Sequence, residues 1–130
     1  MEVALRYEAN DDAQILDVYL TGGSSQVAMD FSLALLAGRP DYWSWDWIVT
    51  VDGVLDGTSV DTIGRLAEGY SALPQSDAIT VMVSPDRQIM FWADVLEFQY
   101  PSRERHVMPD RASALALIQE RRAIAKMNGK

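Results

Sequence analysis

The stretch VDGVLDGTSVDTIGRL, residues 51–66, places Asp52, Asp56, Thr58, Ser59 and Asp61 around Gly53 and Gly57, between an apolar run and an amphipathic one. Three chemistries draw on such a set. Carboxylates spaced along a short loop ligate calcium, paired carboxylates move protons, and a hydroxyl in a turn accepts a phosphoryl group. The calcium pattern fails on spacing. Asp52, Asp56 and Gly57 fall at its first, fifth and sixth positions, but Val54 takes the third, and Ile63 stands where a bidentate Glu is required. No GxxxxGK[ST] run follows the apolar segment, and the GxGxxG spacing is absent. His106 is the only histidine, so a two-His metal motif is excluded, and no G-x-S-x-G elbow accompanies it. No nucleophile is found with a base in reach, so acid–base work by Asp52 and Asp56 stays open but without support. No catalytic residue, metal or cofactor is expected.

A structural role accounts for the same residues. Thr58 followed three residues later by Asp61 is a capping box. The Thr58 hydroxyl would accept from the Asp61 N–H, and the carboxylate suits the positive end of a helix dipole. Such a cap contributes about 1 kcal/mol.

The bulk numbers narrow the class. A chain of 130 residues that is 48% hydrophobic and 23% charged is expected to form one domain, residues 1–130, with a real core. The absence of cysteine removes disulfides, thiolate metal sites and Cys nucleophiles. The opening MEVALRYEANDD is acidic, unlike a signal peptide, and no run approaches the roughly 18 apolar residues of a membrane span. A cytoplasmic protein without a membrane span is expected. A net charge of −8 argues against nucleic acid, whose phosphates need Lys and Arg. The charge is uneven. Residues 103–130 carry seven basic residues against three acidic ones, about +4, which leaves about −12 for the rest. That basic end is either a solvated helix face or a surface for an acidic partner.

The apolar periodicity predicts the elements. VALRY (3–7) and QILDVYL (14–20) read as an antiparallel hairpin turning at Asn10, Asp11 and Asp12. A helix capped by Ser24 or Ser25, with Val27, Phe31 and Leu35 on one side, ends at Gly38 and Pro40. Ile48, Val49 and Val51 form a strand, and a helix runs from about residue 59 to Leu73. AITVMV (78–83) is a buried strand. Ser84 and Pro85 then start a helix, ERHVM (104–108) is an edge strand, and Asp110 caps a last helix with Ala114, Leu115 and Ile118 inward. The order β-β-α-β-α-β-α-β-α predicts an α/β domain with a mostly parallel sheet flanked by helices.

DYWSWDW would put Trp43, Trp45 and Trp47 on one side of an extended segment. Such a stripe is a strap over the core, a self-association surface, or the wall of an apolar pocket shared with Phe91, Trp92 and Phe98. QIMFWADVLEF is apolar nearly all round, so more than one of its faces is expected to be covered. A homodimer is a reasonable expectation.

Taken together, these stretches resemble the STAS domain family, the sulfate-transporter and anti-sigma-factor-antagonist domains. VALRYEANDDAQILDVYLTGG resembles the family's opening hairpin, and IVTVDGVLDGTSVDTIGRL its strand–Asp–loop–DSSG–helix signature. Asp52 matches the Asp closing the central strand, Asp56 the Asp of the loop, and Thr58 the phosphoacceptor hydroxyl. AITVMVSPDRQIMFWADV and HVMPDRASALALIQ resemble the later strand–helix passages. The signature's DSSG reads DGTS here, with Gly57 for a hydroxyl residue, Ser59 for the glycine, and Asp61 added nearby. The resemblance implies a STAS-like fold and a non-enzymatic regulatory module. Its switch loop would be Asp52, Asp56, Thr58 and Ser59, with Arg65 on the following helix reaching a kinase-type anti-sigma factor. A divergent branch of the same fold implies the alternative, a lipid or apolar-ligand domain using Trp43, Trp45, Trp47 and Trp92.

Overall fold

The structure is a computed structural model that describes residues 4–21, 25–52, 76–84 and 104–127. Strands β1 (Ala4–Asn10) and β2 (Ile15–Thr21) form the hairpin. Helix α1 (Ser25–Gly38), a 3-10 turn (Pro40–Ser44) and β3 (Asp46–Asp52) follow. Then come β4 (Ile79–Val83), β5 (Glu104–Met108) and helix α2 (Arg111–Met127). The helices expected after residue 59 and after Ser84 lie outside the described residues. Among the described residues the sheet has five strands in the order β1-β2-β3-β4-β5, so each strand pairs with its neighbours in sequence. β1 and β2 are antiparallel, whereas β2–β3, β3–β4 and β4–β5 are parallel. This is an α/β fold on a mixed sheet, and ERHVM lies at its edge as its polar pattern predicts.

The hairpin turns where its residues demand. The Asn10 side chain accepts the Ala13 N–H at 3.1 Å, and Gln14 takes the left-handed region at φ 53° to bring the chain back. β2 and β3 then read as apolar runs because both of their faces are covered. On one face Ile15, Ile48, Ile79, Val81 and Val83 meet Ala114 and Ile118 of α2. On the other, Leu16, Val18 and Trp47 meet Leu36 of α1 together with Tyr42, Trp43 and Trp45. Ala114 and Ile118 are fully buried and Leu115 packs beside them, as the helical period predicts.

Two carboxylates interrupt the α2 face, Asp17 and Asp46, and both are buried. Each meets an arginine of α2. Arg111 grips Asp17 through two bonds, Nε to Oδ1 at 3.0 Å and Nη2 to Oδ2 at 2.8 Å. Arg122 donates to Asp46 Oδ2 at 2.8 Å and also to the carbonyls of Ala13 and Gln14. The two arginines are eleven residues apart, about three helical turns, so they share one face of α2. The other oxygen of Asp46 accepts the Ile79 N–H at 2.9 Å. Arg121 pairs with Glu104 of β5. These three arginines of the basic end therefore answer the chain's own acids.

Replacing Arg122 with Met keeps its apolar stem and leaves Asp46 without its cation. We expect a loss of about 1–3 kcal/mol, read as a lower urea midpoint at unchanged slope. Combined with Asp46→Asn, the cost should fall short of the sum of the two single variants.

Candidate functional site

The parallel strands end together on one edge of the sheet. Thr21 closes β2 and Asp52 closes β3, directly opposite each other in the register. One row further in, Tyr19, Thr50, Val83 and Met108 lie side by side on the α2 face. Ser84 follows β4, buried, with its N–H donated to the Met108 carbonyl at 3.2 Å. In open α/β sheets, ligands are met outside such carboxyl ends. Here α1, which follows β2, and α2, which follows β5, lie on opposite faces of the sheet.

The groups at this edge are polar. Asp110 caps α2, accepting the Ser113 N–H at 2.7 Å. That backbone bond, first among its causes, holds the Asp110 carboxyl below the ordinary carboxylate range. The next residue, Arg111, is held protonated more firmly than usual, chiefly by its bonds to Asp17 and to a smaller degree by Tyr19. On the other flank the Arg6 guanidinium lies 4.5 Å from the centre of the Tyr19 ring. The Thr50 hydroxyl is buried with no hydrogen-bond partner.

Asp52 is thus placed at the end of β3 on this edge. Asp56, Thr58, Ser59 and Arg65 lie outside the described residues. So do Phe91, Trp92 and Phe98. Trp43, Trp45 and Trp47 are described, and the backbone differs from the extended segment that their alternation predicts. Pro40 starts a 3-10 turn that includes Trp43, Trp45 follows it, and only Trp47 lies in β3. All three nonetheless join one cluster, each 4–7% exposed. Trp47 Nε1 donates to the Tyr42 carbonyl at 2.7 Å. Tyr42 and Trp45 pack as tilted rings 4.8 Å apart, with the Arg39 guanidinium over Tyr42. The segment is a strap over the core.

His106 stands on β5 with Nε2 at 3.4 Å from Glu104 Oε2. Among the described residues no group of three His, Asp or Glu side chains is placed to hold a metal, and no helix is long and apolar enough to cross a membrane. No protein-family model matches the chain, and no curated protein is significantly similar to it.

Sequence reasoning missed Asp17, Asp46 and their arginines. The signal was present. An Asp inside the apolar run ILDVYL must find a cation if the strand is central, and arginines eleven apart on one helix can supply two.

Two outcomes test this edge. Thr50→Val removes a buried hydroxyl that has no partner, so stability should be unchanged or rise by up to about 1 kcal/mol, measured by urea unfolding. For Asp110, the lowered carboxyl stabilises the fold above its unfolded pKa, and that contribution is lost as pH falls through the folded value. Asp110→Asn keeps the cap but not the charge. Its thermal midpoint should lie below wild type at neutral pH, and the gap should close in acid.

Proposed function

We propose that this chain is a non-enzymatic regulatory module of STAS type. It docks a protein partner, a kinase-type anti-sigma factor by resemblance, with the loop that leaves β3. The reading is carried by the position of Asp52, which ends β3 at the carboxyl edge, flanked by β2 and β4. The antiparallel hairpin that feeds a parallel sheet agrees with the same resemblance. In this reading Asp56 shapes the loop, Thr58 and Ser59 present hydroxyls to the partner, and Arg65 meets an acidic patch on it. Phosphorylation of Thr58 would add about −1.5 to −2 charge at neutral pH. That charge would fall beside Asp56 and Asp61 on a chain already at −8, so the modified loop repels an acidic docking surface. The burial of Trp43, Trp45 and Trp47 also favours docking over an apolar-ligand pocket, because their surface is already occupied by the core.

The test is affinity capture from host extract with wild type, Thr58→Ala and Thr58→Glu side by side, read by mass spectrometry. A kinase-type partner held by wild type and by Thr58→Ala, and lost at least about tenfold by Thr58→Glu, is expected. Equal capture by wild type and Thr58→Glu would overturn the switch.

A further inference from the structure

The two edges of the sheet differ. β5 is five residues long and is followed at once by Pro109, and its Arg105 is buried. β1 is seven residues long, pairs with β2 at every position without a bulge, and contains neither Pro nor Lys. Residues 6–10 are all exposed, and Tyr7 is 44% exposed. Edge strands are ordinarily blunted by shortness, Pro, bulges or charges, since an open row of N–H and C=O groups templates another strand; the charges β1 carries are Arg6 and Glu8, of opposite sign.

β1 also has a charge arrangement that its own sheet leaves unbalanced. Glu8 lies directly opposite Asp17 in the β1–β2 register, a like-charge pair, and Asp17 is already gripped by Arg111. Glu8 forms no ion pair among the described residues. Arg6, two positions earlier on the same face, lies over the Tyr19 ring and likewise has no carboxylate partner among the described residues. An antiparallel copy of β1 resolves both. With a two-fold axis at Tyr7, Arg6 falls opposite Glu8 of the second copy and Glu8 opposite its Arg6, while Tyr7 meets Tyr7. Directly opposed residues of antiparallel strands share a face, so both charge pairs form on the side where Arg6 and Glu8 already stand.

We propose that β1 is a self-association edge. Two copies of this chain join antiparallel through Ala4–Asn10, centred on Tyr7, into one continuous ten-stranded sheet. The strand bonds supply affinity and the Arg6–Glu8 pairs fix the register. This interface is independent of the loop after β3, so each proposal stands or falls alone.

Sedimentation of the full chain over a concentration series tests it, with circular dichroism as the folding control. Wild type should form a reversible dimer. Arg6→Glu or Glu8→Arg alone puts like charges face to face and should shift the equilibrium to monomer, and the double swap should restore the dimer. Glu8→Arg removes the clash with Asp17, so it keeps the test valid if Arg6→Glu fails to fold. Because the chain has no cysteine, Tyr7→Cys adds a single thiol on the axis. Opposed Cα atoms about 4.5–5.5 Å apart are within disulfide reach, so this variant should cross-link on oxidation. Ala9→Cys, displaced from its copy by four residues or ~13 Å, should not. A monomeric wild type, single variants that dimerise as wild type does, a double swap that stays monomeric, or cross-linking at Ala9 in place of Tyr7 would each overturn the proposal.

Discussion

The structure depends on two carboxylates that the sheet turns inward. Asp17 and Asp46 are buried on the face that α2 covers, and an isolated buried charge of that kind costs several kcal/mol. Arg111 and Arg122 offset that cost at opposite ends of one helix. The pairs do more than neutralise. Apolar contacts through Ala114 and Ile118 hold α2 against the sheet, but the attraction is non-directional. Two bonds to fixed oxygens, about three turns apart, set its position and its direction. Asp46 extends the same constraint to β4 through Ile79, and Arg122 extends it to the hairpin turn through the carbonyls of Ala13 and Gln14.

That constraint shapes the carboxyl edge. With α2 fixed, its capped N-terminus stands beside the ends of β4 and β5, and Asp52 is carried to the same edge by its pairing with Thr21. The opposite face is filled differently. There the Trp-rich strap supplies bulk in place of charge, and the Trp47 Nε1 donor is satisfied by the carbonyl of Tyr42. One face is thus positioned by ions and the other by shape.

Most of the described elements can be read from local pattern. The alternation in residues 3–20 with Asn10 at its turn, the apolar run at 78–83, and Asp110 before an Ala-rich helix each encode one element with few rivals. The aromatic segment was read less well, because alternation of Trp43, Trp45 and Trp47 fits a strand equally well, and Pro40 starts a 3-10 turn in its place. The need of Asp17 for a cation is visible locally, but which arginine answers which Asp is not. The partners are 94 and 76 positions apart, and only the register of the sheet brings them together. Of the candidate loop, the pattern defined Asp52 as a strand end, while the roles of Thr58 and Arg65 rest on resemblance.

The sequential strand order has a consequence for how the chain is made. Each strand after the first adds to the one just before it, so the sheet can grow in chain order; the hairpin closes locally, whereas each parallel strand must wait for a longer crossover. The neutralising helix follows all five described strands in the chain. Without α2, burying Asp17 and Asp46 in the sheet would cost several kcal/mol. Docking of α2 therefore couples the hairpin, β3 and β4 into one cooperative unit.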